Sequence, residues 1–180
     1  MGKKILIGMG IVLGGLLGLI VIAGIAGMFL APEFSGEARI TLGKPPEEVW
    51  QAINDYKRLP VSSAQSQRVE ELPAEGGLPA WKEDIGSTTL TFRTTESQAP
   101  SRLVRAVSDA VVPMTMRIEY EIAAQGTGSQ VRIRVNGRVD SGTLHVPFFR
   151  VMLRMGAAAA GQRAFLESLA RHLGENATAE

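Results

Sequence analysis

His145 and His172 are the only imidazoles in the 180 residues, and there is no cysteine. Disulfides, thiolate metal sites and cysteine nucleophiles are therefore excluded. His172 stands beside Arg171 near the end of a periodic apolar segment and reads as solvated. His145 precedes Val146-Pro147, where a last strand gives way to that segment, so it is a candidate for the mouth of a cavity or an ordinary local hydrogen-bonding residue. A metal site needs several imidazoles or carboxylates converging, and no paired spacing supplies them. Gly126-Thr127-Gly128 is too short for a phosphate cradle and reads as a hairpin turn. No cofactor is called for.

Three polar residues share strand parity with apolar neighbours and so point inward. They are Glu83 between Trp81 and Ile85, Arg105 between Leu103 and Val107, and Tyr120 in the row Met114, Met116, Ile118, Tyr120, Ile122. Burying a charge is costly unless it is paired. Glu83 and Arg105 are thus expected as an internal pair that grips the polar end of a ligand, or that does acid–base work if its surroundings tune the glutamate. A one-residue bulge would turn either one outward instead. Phe92 faces inward beside Leu90, while Met116, Met152 and Met155 are adaptable linings for an irregular apolar guest or plain core filler. The run Gly156 to Gly161, Gly-Ala-Ala-Ala-Ala-Gly, has little volume, so a cavity is expected opposite Ala159. The expected ligand-binding set is Glu83, Phe92, Arg105, Met116, Tyr120, His145, Met152, Met155 and Ala159, with no catalytic residue assigned.

The elements that must position these residues follow from periodicity. Ala38 to Leu42 alternates in the manner of a half-buried strand. Pro46 at a first helical turn, with Glu47 and Glu48 near the positive helix end, opens a short amphipathic helix carrying Val49, Trp50, Ile53 and Tyr56. From Gln67 to Asp140 strands succeed one another, with turns at 75–77, 98–100 and 126–128. The last two form a hairpin that places Glu119 opposite Arg134 and Glu121 opposite Arg132, which marks the wet face. Phe148, Met152, Met155, Ala159, Gln162, Leu166, Leu169 and Leu173 recur at steps of four and three, predicting one long amphipathic helix over 148–173. Gly174 stops it, and 175–180 is expected as a disordered tail.

Before all this, Ile5 to Leu30 is a run of 26 residues without a charge, where about 20 suffice to cross a bilayer as a helix. A cleaved signal peptide ending near Gly24-Ile25-Ala26 is the competing reading, though signal cores run to only about 7 to 15 residues. Lys3 and Lys4 place the N-terminus in the cytoplasm and the following domain on the other side. Gly10, Gly14 and Gly18 line one helix face, where a second copy could approach to form a homodimer, the alternative being that glycine is simply common in membrane helices. The division expected is an anchor over 1–34, a domain over 35–174 and the tail. Removing Lys3 and Lys4 from the 19 basic residues leaves 17 against 18 acidic ones. Such a balance gives no basic face for nucleic acid.

The order strand, short helix, antiparallel strands, long C-terminal helix resembles the helix-grip fold of the START-like (SRPBCC) superfamily, with its polyketide cyclase/dehydrase-related members. Lys44-Pro45-Pro46-Glu47-Glu48-Val49-Trp50 is similar to the opening of that family's first helix, Pro79-Ala80-Trp81-Lys82-Glu83 to a central strand, and Pro147-Phe148-Phe149-Arg150 to the entry into the gripping helix. Where the family has an aromatic after Leu59-Pro60, this chain has Val61-Ser62-Ser63. The resemblance implies an α+β fold, a curved antiparallel sheet around the long helix with an apolar cavity between. Taken with the small-residue helix and the apolar N-terminal run, it points to a membrane-anchored module that binds or transfers a lipid or other hydrophobic small molecule. A cyclase- or dehydratase-like enzyme using the same cavity and an interaction domain with a collapsed cavity are the alternatives, since fold does not decide activity.

Overall fold

The computed structural model describes residues 14, 15, 18, 21, 22, 24–62, 65–140 and 146–180. The alternation seen at Ala38 to Leu42 extends back to the end of the apolar run, giving β1 (Glu33–Leu42). Its inward residues Ala38, Ile40 and Leu42 are buried, while Glu37, Arg39 and Thr41 are exposed. Pro46 occupies the first turn of α1 (Pro46–Asn54), with Glu47 and Glu48 beside it, and Val49 and Ile53 carry its buried face. Six strands follow as a meander: β2 (Arg68–Glu75), β3 (Leu78–Asp84), β4 (Thr89–Gln98), β5 (Arg102–Asp109), β6 (Met114–Gln125) and β7 (Gly128–Val139). β1 then pairs with β7 from Glu33 opposite Arg138 to Leu42 opposite Ser129. The result is one seven-stranded antiparallel sheet in the order β1-β7-β6-β5-β4-β3-β2.

The β6–β7 register is the one expected, with Glu119 opposite Arg134 and Glu121 opposite Arg132. The ion pairs use both opposed and diagonal positions and draw in neighbouring strands: Arg132 meets the opposed Glu121 at 3.8 Å, Arg134 meets the opposed Glu37 of β1 at 3.3 Å and the diagonal Glu121 at 2.9 Å, and Arg102 of β5 meets the diagonal Glu119 at 2.6 Å. Long side chains reach a diagonal neighbour as readily as the directly opposed one.

The single long helix expected over 148–173 is two helices, α2 (Val146–Arg154) and α3 (Ala157–His172). Gly156 adopts a left-handed conformation at φ +96°, which needs no Cβ and ends the first ladder before the second begins. The change of direction splits the periodic stripe. Gln162, Phe165, Leu166, Leu169 and Ala170 of α3 are buried against the sheet, while Met152 and Met155 are 56 % and 82 % exposed. The tail expected to be free runs along β1. Glu180 exchanges two backbone hydrogen bonds with Arg39, at 2.9 and 3.0 Å, and Ala179 is buried. An edge strand offers unpaired N–H and C=O groups, and these contacts occupy some of them.

Among the described residues no helix is long and apolar enough to cross a membrane. Much of the apolar run, including Gly10, lies outside the described residues; residues 24–29 are helical, and Gly14 and Gly18 are helical and exposed.

Candidate functional site

Strand parity brings four of the expected residues together. Glu83 on β3, Phe92 on β4, Arg105 on β5 and Tyr120 on β6 all point into the core and are no more than 1 % exposed. At their centre is Trp81, its ring stacked between Tyr56 at 4.1 Å and Phe92 at 5.1 Å. The Arg105 guanidinium lies over both the Trp81 and Tyr120 rings, at 4.8 and 5.0 Å, and Tyr120 meets Phe165 of α3 edge-on.

The expected Glu83–Arg105 ion pair is not formed; each charge has partners of its own. Glu83 accepts hydrogen bonds from Val61 N, Ser62 N and Trp81 Nε1, all at 2.9 Å. The Val61-Ser62 stretch that departs from the family's pattern thus supplies the backbone donors that hold this carboxylate. Arg105 donates through Nη2 to the Ile53 carbonyl at 2.9 Å and through Nη1 to the Tyr120 hydroxyl at 3.4 Å. Ile53 is in the last turn of α1, where carbonyls lack helical partners and the helix end is negative, so a cation is stabilised there. Two aromatic faces add a cation–π attraction.

Burial pushes the Tyr120 phenol above its ordinary 10.0 despite the Arg105 charge, so it stays neutral. Two polar atoms in this region have no hydrogen-bond partner, Arg105 Nε and Thr94 Oγ1, and Thr94 and Arg105 are directly opposed across β4 and β5.

The other expected residues do not converge here. Met116 is half-buried near Gly137 of β7. Met152 and Met155 face outward on α2. Ala159 lies against β1, where a Cβ on Gly36 would stand 2.7 Å from the Ala159 nitrogen. The small residues of α3 therefore serve close approach of helix and strand, in place of the cavity expected opposite them. His145 lies outside the described residues, and His172 is exposed at the end of α3. Among the described residues no three His, Asp or Glu side chains group as metal ligands.

A cavity of ligand size lies elsewhere. A cleft of about 690 Å³ opens where the chain passes from Phe29 into β1, with α2 as one wall and Asn136 and Gly137 of β7 as its floor. That volume falls in the ~300–1,000 Å³ range of small-molecule sites. Arg150 of α2 holds the wall in place, donating to the Val139 carbonyl at 2.9 Å and the Leu30 carbonyl at 3.3 Å. Arg154, one turn on, lines the same cleft. Sequence reasoning missed the cleft because its walls are far apart in the chain; the available signal was Arg150 and Arg154 at i, i+4 on an otherwise apolar segment.

Residues 33–174 match the family model described as polyketide cyclase/dehydrase and lipid transport. The chain belongs to this family. Solved structures show the same fold at low identity. A conserved protein from Geobacillus kaustophilus is 14% identical, with a TM-score of 0.61 over 81% of this chain and 99% of that one. The di-domain ARO/CYC StfQ from the steffimycin biosynthetic pathway is 9% identical, with a TM-score of 0.56 over 79% of this chain and 52% of that one. The Aha1 dimer from Colwellia psychrerythraea is 16% identical, with a TM-score of 0.52 over 75% and 92%. No curated protein sequence matches the chain. The seven-stranded sheet and C-terminal helices agree with the helix-grip arrangement of START-like proteins.

Proposed function

We propose that this member of the family is a membrane-anchored module that binds or transfers a lipid or other hydrophobic small molecule. Residues 5–30 hold it in the bilayer, with Lys3 and Lys4 on the cytoplasmic side and the domain from about residue 35 on the other. The observation that carries the reading is the 690 Å³ cleft, which opens at the foot of the apolar run between α2 and the start of β1. The family description names lipid transport, and neighbours of the same fold come from biosynthetic loci. Binding is favoured over a cyclase-like reaction because Glu83 and Tyr120 are fully buried and engaged by neighbouring residues, so neither is presented to a guest in the cleft.

The test is extraction and mass spectrometry of apolar molecules retained by the purified full chain, with displacement by a fluorescent fatty-acid probe. Ser35 is exposed and lines the cleft, so Ser35→Trp should block it while changing stability by no more than about 0.5 kcal/mol, as surface substitutions do. Loss of retained molecule and probe in Ser35→Trp supports the reading. Probe binding unchanged in that variant, or no binding in the parent chain, overturns it.

A further inference from the structure

One stripe of α2 is apolar, and its C-terminal part is uncovered. Phe148, Met152 and Met155 follow at steps of four and three along one helix face, and the two methionines are largely exposed. The stripe continues onto residues 24–29, where Met28 and Phe29 are 68 % and 87 % exposed. The join between them is tight. A Cβ on Gly24 would stand 3.3 Å from the Phe148 ring, and one on Gly27 would overlap the Pro147 carbonyl, so the two backbones meet through glycine.

Depth follows from helix geometry. At about 1.5 Å per residue, Gly24 lies roughly 9 Å before Leu30, where the apolar run ends. The start of α2 is therefore level with the last two turns of that run, matching the ~5–10 Å to which amphipathic helices sink into an interface. Charge points to the same surface. Arg154 lines the cleft beside the stripe and has no carboxylate partner among the described residues; Arg150 is held by the Val139 and Leu30 carbonyls, and Glu33 in the same cleft is taken by Arg138 at 3.1 Å.

We infer that α2 is a membrane-contacting helix, its Phe148–Met152–Met155 stripe lying in the bilayer interface and the cleft beside it receiving the phosphate headgroup of an anionic phospholipid through Arg154, while Arg150 holds the cleft wall. The inference rests on the anchored reading above. A bilayer is the occupant because the stripe is continuous with the apolar run and flanked by the exposed cation of Arg154, a combination that suits acyl chains beneath phosphates.

The absence of cysteine allows one probe at a time. Ile22→Cys, Met155→Cys and Thr127→Cys variants of the full chain, each labelled with a polarity-sensitive fluorophore, are reconstituted in phosphatidylcholine–phosphatidylglycerol vesicles carrying spin-labelled lipid. Quenching is expected at position 22 by a deep label and at 155 by a shallow one. None is expected at 127, at the far end of β7. Quenching at 22 without quenching at 155 overturns the inference and leaves the anchor standing. Quenching at 155 alone keeps the α2 contact and overturns the anchor, and quenching at neither overturns both. Spin-labelled phosphatidylglycerol should be enriched at the 155 probe about fivefold over phosphatidylcholine, the factor one arginine near an anionic surface contributes, and Arg154→Gln should remove most of that preference. Equal quenching by the two lipids, or a preference that survives Arg154→Gln, overturns the headgroup assignment.

Discussion

Gly36→Ala is the most direct probe of how α3 meets the sheet. Gly36 lies in the middle of β1, and its backbone is not left-handed, so alanine is conformationally allowed there. The added Cβ would stand 2.7 Å from the Ala159 nitrogen and 3.1 Å from both the carbonyl carbon and the Cβ of Ala158. The first contact falls roughly 0.8 Å short of the ~3.5 Å at which carbon contacts become attractive. Two of the three obstructing atoms are helix backbone, which cannot turn aside as a flexible side chain would. Overpacking of this kind costs about 1–3 kcal/mol, offset by about 0.4–1 kcal/mol from the stiffer unfolded chain. A net loss of up to about 2.6 kcal/mol lowers Tm by up to roughly 10 °C in a protein of this size. Gly161→Ala is the internal control: it lies in α3 with nothing within 4 Å of an added Cβ, so helix propensity alone should raise stability by up to about 1 kcal/mol. Calorimetry of the two variants in the same detergent should therefore show shifts of opposite sign. A rise in Tm for both would refute the close contact of α3 with β1 and restore an open cavity between them.

Glu83→Gln removes a charged acceptor from three N–H donors and turns an NH₂ toward them, so it should cost about 1–3 kcal/mol and speed amide exchange at Val61 and Ser62. Unchanged exchange there would mean that Glu83 does not hold the segment after α1. On the acid side, Arg39, Lys57 and Arg117 hold the carboxyls of Glu37, Glu71 and Glu96, respectively, below their ordinary 4.5. Depressed carboxylates contribute stability above 4.5 that is lost as pH falls through their folded values, so Tm should drop below about pH 5 and drop less steeply in 1 M salt. On the alkaline side the raised Tyr120 contributes stability that is full below 10.0 and lost as pH rises past it. The alkaline fall in Tm should be shallower in Tyr120→Phe, and an identical fall would place Tyr120 in a solvated site.

Local signals in the sequence determined the scaffold. Period-2 alternation depends only on neighbours along a strand, so it placed Glu83, Phe92, Arg105 and Tyr120 inside and set the β6–β7 register. Pro46 with Glu47 and Glu48 marked the start of α1 for the same local reason. The hydrophobic run to Leu30 is likewise readable without any fold. What the tertiary structure decided are relations between distant segments. Arg105 meets the end of α1 and two ring faces in place of Glu83, because those partners come from strands and helices 15 to 52 residues away. The stripe from Phe148 to Leu173 looked continuous because periodicity ignores backbone direction, and a single left-handed glycine at position 156 turned Met152 and Met155 outward. The alanine run of α3 read as missing volume, but β1 came close enough at Gly36 to use it. The cleft itself exists only where the exit of the apolar run, the start of β1, the end of β7 and α2 converge, and no stretch of the chain holds all four.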